Sequence, residues 1–479
     1  MEVLSGLTQG LNNLLQPINT FLMCLGALVG IWFGLLRVLS PTGTVAAVLA
    51  ITFGLPPIEG IVLLTALTFG VLYGNVLPRS QLIGSAAKLP ATRGFRFSLV
   101  SGALLPAAVI AFVAAGISPT VASTALLLGP AEYAAIMILV LSTMVASATG
   151  SMIRAMTMCI FGLLLSMVGS DLETGMGRMT FDEAELADGI GFVNIAVGVF
   201  VIADMMRNFG SMVAGDRLRF SAMTQTPPSI LRAIGLGIFG GLTGAGSKFL
   251  LDSNTRDSPE GERDSAGQPD HPLPSAAEKD VLVTTSFVPF MILGLPTHAL
   301  GALIVGAFAI HGIVPGPQVI TKQPELYWAV FVSVIAIHLV LIPIVLIGGR
   351  IYNLIASTTF STIAPFLFAY CCAAIYSVNN SPFDVACMLV FGVFGVIMIR
   401  FDFDRNMLLT AFVLGPLLEE NLRRTFLIAR GSLPDILGRP IAGSILLLAG
   451  VILIIASVVR LRRNAAVFPF AARVQGRSA

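Results

Sequence analysis

The sequence predicts an all-α polytopic membrane protein: about 10–13 transmembrane helices in two inverted repeats, interrupted by broken or re-entrant helices. Three observations carry that prediction. Of 479 residues, 56% are hydrophobic and 11% charged, where a soluble domain has about 25% charged. Such a chain cannot cover a globular core with polar surface, which excludes a large soluble enzyme; the mean hydropathy of +0.89 agrees. Apolar runs recur along the whole length, many near the roughly 20 residues a spanning helix needs. Finally, 48 glycines and 27 prolines fall largely within or beside those runs, so helices must often stop and restart.

Residues 1–20 form an N-terminal segment. It opens MEVLSGLTQG, with an acid and no basic residue before the first apolar run. A cleaved signal peptide opens on basic residues, so the first membrane segment is expected to stay in the mature protein. The first repeat, 21–208, holds apolar segments at 21–36, 44–54, 58–77, 97–116, 119–146, 151–169 and 190–206. A linker follows at 209–229. The second repeat, 230–430, holds segments at 230–251, 281–297, 299–314, 326–348, 351–358, 362–378, 383–400 and 406–418. Within it the stretch 252–275 is polar, rich in Pro and Gly, and cannot form a packed core. A last helix at 441–460 leads into a basic tail, 461–479.

Charge gives the orientation. Arg79, Lys88, Arg93 and Arg96 stand between 78 and 97 without an acid, and Arg460, Arg462, Arg463, Arg473 and Arg477 follow Val459 without one. Both stretches are predicted to be cytoplasmic. Residues 170–188 carry six acids against Arg178 and fit the outside; 207–232, with Arg207, Arg217, Arg219 and Arg232 against Asp216, returns to the cytoplasm. The overall +2 gives no argument for nucleic acid. Five cysteines lie in apolar runs without CxxC spacing, which provides neither a disulfide framework nor a metal site.

The halves resemble each other. Ser147-Ala-Thr-Gly-Ser151 and Ser377-Val-Asn-Asn-Ser381 stand 230 residues apart, as do Phe161-Gly162 and Phe391-Gly392. Asp204-Met-Met-Arg207 lies opposite Glu420-Asn-Leu-Arg423 at offset 216, and Gly30 and Gly34 opposite Gly240 and Gly244 at offset 210. The first repeat ends in the cytoplasm; the second ends one crossing before a cytoplasmic tail, hence outside. Inverted repeats with helices broken near the midplane mark secondary transporters.

Look-alike motifs are set aside on context. Gly235-Leu-Gly-Ile-Phe-Gly240 matches a dinucleotide fingerprint but follows no strand, and Gly241 to Lys248 ends Ser-Lys where a phosphate loop needs Lys-Ser/Thr. No catalytic constellation is present, so an enzyme is not expected. Gly26, Gly30 and Gly34 form a small-residue ladder suited to close helix packing. The breaks are the candidate site. Thr243, Gly244, Gly246 and Ser247 end one apolar run; Gly294, Pro296, Thr297 and His298 interrupt another. A restarted helix offers unpaired N–H groups and a partial positive end, which suit a carboxylate; kinks or interfacial turns are the alternative. Arg37 and Lys248 fall opposite each other in the repeats. They either clamp an anion or carry their charges to an interface. His298 is a proton relay or ligand on one reading and a satisfied core residue on the other. Asn379 and Asn380 suit Na⁺ or a substrate hydroxyl, and Ser147 and Ser151 occupy the matching break of the first repeat.

At these residues the chain resembles the large membrane subunit of tripartite tricarboxylate transporters, the TctA-like family. The matches are Tyr376-Ser-Val-Asn-Asn380-Ser, Phe391-Gly-Val-Phe-Gly395, Leu414-Gly-Pro-Leu-Leu-Glu-Glu-Asn-Leu-Arg-Arg424, Ile310-His311-Gly-Ile-Val-Pro315-Gly-Pro317 and Gly129-Pro-Ala-Glu132-Tyr133. The family's LGIPGSATT stretch stands here as Leu293-Gly-Leu-Pro-Thr-His-Ala-Leu-Gly301, and its YGGSITSIL as Tyr73 to Gln81. The resemblance implies a multi-pass protein of the bacterial inner membrane. It would import a small carboxylate without a bound cofactor, driven by Na⁺ or H⁺. Its implied partners are a small four-helix membrane subunit, a periplasmic substrate-binding protein and the lipid bilayer. A degenerate, non-transporting relative acting as a membrane sensor or assembly subunit is the rival reading.

Overall fold

A computed structural model describes residues 2–36, 39–76, 104–148, 151–171, 174–213, 276–347, 360–432 and 438–475. Its helices are α1 (Glu2–Leu14), α2 (Pro17–Leu36), α3 (Pro41–Leu49, prolonged by a tight turn Ala50–Gly54), α4 (Pro57–Val76), α5 (Leu105–Ala125), α6 (Pro130–Ser147) and α7 (Met152–Leu165). Next, α8 (Phe192–Ala196) passes through a π-helical stretch, Val197–Ile202, into α9 (Ala203–Val213). The second half holds α10 (Ala276–Leu293), α11 (Ala299–Ile310), α12 (Val319–Lys322), α13 (Pro324–Ile347), α14 (Phe360–Asn379), α15 (Pro382–Arg400), α16 (Arg405–Ile428) and α17 (Pro440–Gln475). Among the described residues nine helices are long and apolar enough to cross a membrane, and 41–54, 152–165, 280–293 and 299–310 are shorter apolar helices. Large apolar side chains such as Phe112, Phe366, Val390, Leu447 and Ile454 face outward, as a protein surface solvated by lipid requires.

Many helices open on proline, whose fixed φ and missing N–H suit the first helical position. Interior prolines are accommodated locally. Pro119 lies inside α5, although the apolar pattern predicts separate segments at 97–116 and 119–146; the hydroxyl of Ser118 donates to the Ala115 carbonyl at 2.9 Å, the acceptor a proline leaves free. The chain instead breaks at Gly129-Pro130, where the Glu132 carboxylate accepts from the Gly129 N–H at 2.9 Å. Helix α16 runs ten residues beyond the predicted 418, because Glu419–Arg423 and Glu420–Arg424 pairs sustain its polar end. Helix α1 is amphipathic, without the long apolar run that would have marked it.

The glycine ladder is a packing surface. A Cβ on Gly26, Gly30 or Gly34 would stand 2.5–2.7 Å from the carbonyls of Leu63, Leu67 and Val71 on α4; Gly70 and Gly74 meet the carbonyls of Ala27 and Ile31 in return. The matching increments make α2 and α4 parallel, so α3 runs back between them. A second set of close contacts joins the halves. Gly162 of α7 rests on Leu408 and Ala411 of α16, and Gly198 of the π-helical stretch rests on Met388 and Phe391 of α15. Both pairs are parallel, whereas α7 and α15 are antiparallel. Phe161 meets Phe394 at 5.2 Å between centroids, and the Arg154 guanidinium donates to the Phe401 carbonyl at 2.9 Å.

Candidate functional site

Two short helices, α3 and α11, lie buried in the interior, each preceded by a break in the chain. The break before α11 is built from Gly294 to His298, all of it buried. Gly294 adopts φ +72°, and a Cβ there would stand 2.3 Å from the Pro315 carbonyl oxygen. Only glycine fits that backbone and that approach. The segment therefore rests on the 311–317 loop, where Gly312 and Gly316 also have positive φ. Pro296 and Thr297 complete the turn. His298 is the N-cap of α11: its Nδ1 accepts from the Gly301 N–H at 3.0 Å, and its Nε2 lies 2.6 Å from the Ser286 hydroxyl, which donates to the Val283 carbonyl. Since Nδ1 accepts, the ring proton of the neutral tautomer sits on Nε2 and is donated to Ser286. Both ring nitrogens are thus engaged, as the core reading of this residue requires. The remaining orphan N–H groups of α11's first turn are the part that can address an anion.

The second break is differently placed. Asn379 and Asn380 are exposed. Asn379 donates to the Asp384 carboxylate at 2.8 Å, which also accepts from Asn194 at 2.6 Å; Asn380 takes the left-handed conformation at φ 52° that ends α14, and Ser381 caps α15. Ser147 donates to the Met144 carbonyl at 3.1 Å, and Ser151 is exposed at the N-cap of α7. Because α7 and α15 are antiparallel, Ser151 and Asn380 sit at opposite ends of a 19-residue helix, about 28 Å apart along its axis. The structure does not bring these four residues to the break at 294–298. Arg37, Thr243, Gly244, Gly246, Ser247 and Lys248 lie outside the described residues.

Three polar clusters were not singled out as sites in the sequence. Asp204, fully buried on α9, accepts from the Ser40 N–H that leads into α3 (2.8 Å) and from Arg405 of α16 (2.9 Å). Arg405 also lies over the Phe200 ring, 5.1 Å from its centroid. At the other end of the bundle, Asp171, Arg178, Glu419 and Arg423 form a network, with Arg178–Glu419 at 2.6 Å and Arg423–Asp171 at 3.1 Å. Hydrogen bonds to Glu419 first and Asp171 second hold the Arg178 guanidinium above its ordinary value. In the interior, Tyr73 donates to the Asp280 carboxylate, whose other oxygen lies 3.2 Å from Nε2 of His338. The partners of Asp280 are 207 and 58 residues away in sequence, beyond the reach of any periodicity. The one available signal was an acid at the edge of one apolar run and a histidine inside another. Among the described residues no three of His, Cys, Asp and Glu gather to hold a metal ion. A groove of ≈ 620 Å³ is lined by residues of α7, α16 and the turn after α7, none from either break.

The sequence profile described as the tripartite tricarboxylate transporter TctA family matches residues 92–410. An Agrobacterium vitis protein described as "Uncharacterized 52.8 kDa protein in TAR-I ttuC' 3'region" is 34% identical over 97% of this chain and 98% of its own length. A second from that organism, "Uncharacterized protein in TAR-II ttuC' 3'region", is 40% identical over 37% of this chain and 74% of its own. No solved structure matches the chain.

Proposed function

Because the chain belongs to the tripartite tricarboxylate transporter TctA family, we propose that it is the large membrane subunit of a binding-protein-dependent importer of an organic carboxylate, coupled to a Na⁺ or H⁺ gradient. The observation that carries this reading is the family match over 92–410, which spans the buried break at Gly294–His298. Its partners would be the small four-helix membrane subunit and the periplasmic binding protein of such a system.

The helix arrangement supports alternating access. The segments matched at offset 230 are the antiparallel pair α7 and α15, and each packs in parallel on a helix of the opposite half. That is the relation an inverted repeat produces. Charged groups mark both ends: Arg154, Arg207, Arg405 and Arg460 gather at one, joined through Asp204, Asp402 and the α6 carbonyls, while Asp171, Glu419 and Glu420 lie at the other, paired with Arg178, Arg423 and Arg424. We assign the first end, with the C-terminus, to the cytoplasm.

In this reading the carboxylate meets the N-terminal end of α11, with Gly294, Pro296 and Thr297 shaping the approach and His298 holding the turn. Thr243, Gly244, Gly246 and Ser247 would add small and polar groups, Arg37 and Lys248 would supply positive charge, and Asn379, Asn380, Ser147 and Ser151 would serve steps away from the central break. The test is uptake by proteoliposomes holding this chain, its small subunit and its binding protein, with labelled mono-, di- and tricarboxylates under imposed Na⁺ and proton gradients. Saturable, gradient-dependent uptake supports the reading. Silence from a folded complex across the panel overturns it in favour of a non-transporting sensor or assembly subunit.

A further inference from the structure

The cluster at Tyr73, Asp280 and His338 has a hydrogen-bonding inventory that does not close without an extra proton. All three side chains are buried to 2% exposure or less. Nδ1 of His338 lies 2.5 Å from the Val334 carbonyl oxygen. A carbonyl only accepts, so Nδ1 carries the hydrogen and Nε2 of a neutral ring presents a lone pair. That lone pair faces Asp280 Oδ1 at 3.2 Å, which in the carboxylate is a second acceptor. Tyr73 already donates to Oδ2, and the Thr284 hydroxyl, 3.4 Å from Nε2, can donate to that nitrogen only at long range and leaves Oδ1 facing it without a donor. Two acceptors in that geometry need a proton between them, on the carboxyl or on the imidazole.

Among the described side chains, those packed around that proton are mostly apolar. Phe69 lies 4.7 Å from the His338 ring and 6.0 Å from Phe287, a wall of aromatic carbon. Helices α5 and α11 carry no titratable side chain and α2 carries Cys24. Glu59 on α4 and Glu325 on α13 lie 14 and 13 residues before Tyr73 and His338, about 20 Å along their helices. Glu278 and Lys279 precede Asp280 on its own helix.

The geometry points to a proton-binding site in which Asp280 and His338 share one proton, with Tyr73 as the fixed donor, and to that proton as the ion coupled to carboxylate import. The coupling clause rests on the transport reading above; the proton site does not. With the proton in place, Asp280 ties α10 to α13 while Tyr73 ties it to α4. When the proton leaves for water, Oδ1 and Nε2 become two facing lone pairs around a net negative charge in a dry interior. The α10–α13 tie then opens while the α4 tie remains. Helix α10 carries the change to the break: it ends at Leu293 immediately before Gly294, and its Ser286 holds the ring of His298.

Asp280→Asn tests this, because the amide donates to Nε2 and accepts from Tyr73, fixing the protonated arrangement and preserving the fold. In the assembled complex, a one-unit pH gradient should let the unaltered protein accumulate carboxylate by up to about tenfold per coupled proton. Asp280→Asn should lose that accumulation, its ratio falling to about one, while measurable carboxylate exchange persists; His338→Gln should do the same. Accumulation by Asp280→Asn equal to that of the unaltered protein, or accumulation driven by Na⁺ alone, would overturn the coupling. If the unaltered complex neither accumulates nor exchanges any carboxylate, the transport reading fails and spectroscopy decides the site. A carboxylic-acid infrared band, or an imidazolium signal from ¹⁵N-histidine, that titrates with pH and is missing from Asp280→Asn supports the shared proton. A folded protein showing neither signal overturns it.

Discussion

The breaks at 294–298 and 379–381 use the same vocabulary of a small or amide residue, a proline and a hydroxyl, yet the chain treats them in opposite ways. The first is buried, turns on a glycine pressed against the Pro315 carbonyl, and has both nitrogens of its histidine engaged. The second is exposed, turns on Asn380, and satisfies itself through caps and the Asn379–Asp384 contact. The difference teaches that a helix break announces an interruption and does not disclose its solvation. In lipid, unpaired backbone survives only where protein or water satisfies it. The buried break met that demand with side chains from elsewhere, the exposed one with its immediate neighbours.

Substitutions can break or sharpen that contrast, with stability read from unfolding midpoints in mixed micelles. The largest effect is expected at Gly294→Ala, where a disfavoured φ and an overlap with Pro315 add to about 3–5 kcal/mol; an unchanged midpoint would remove the distinction altogether. His298→Ala loses the cap and leaves Ser286 without its ring partner, about 1–3 kcal/mol. His298→Asn, which can cap, should recover part of that loss. At the exposed break Asn380→Ala should cost about 1–2 kcal/mol through the left-handed backbone alone, and Asn380→Gly should fall within about 0.5 kcal/mol of the parent. Smallest is Arg423→Ala, up to about 1 kcal/mol and shrinking as salt is added, since its network with Asp171 and Glu419 is partly solvated.

Most of the helical frame was legible because its punctuation is local. Pro17, Pro41, Pro57, Pro130, Pro324, Pro382 and Pro440 each open a helix, and all but the one at Pro41 have membrane length. The glycine ladder of α2 was legible for the same reason: a four-residue spacing is a statement about one helix face. What escaped was relational. Nothing near Tyr73 points to Asp280, and Asp280 stands beside Glu278 and Lys279, just before the apolar run that starts at 281. Asp204 was noticed only as a repeat match; its burial against Ser40 and Arg405 depends on α9 and α16 meeting. The short hairpin pairing Gly169 with Arg178 was also missed, because two-residue strands leave no period to count.

The contact between α2 and α4 has a mechanical consequence. At five glycines it is made by main chain against main chain, carbonyl upon glycine, which leaves little room there for sliding. Such a seam behaves as a weld. Any rocking motion must carry α2, α4 and the α3 segment between them as one stiff plate. Compliance is left to seams made through side chains, such as the Asp280–His338 tie between α10 and α13 and the contact of Gly306 on Phe192.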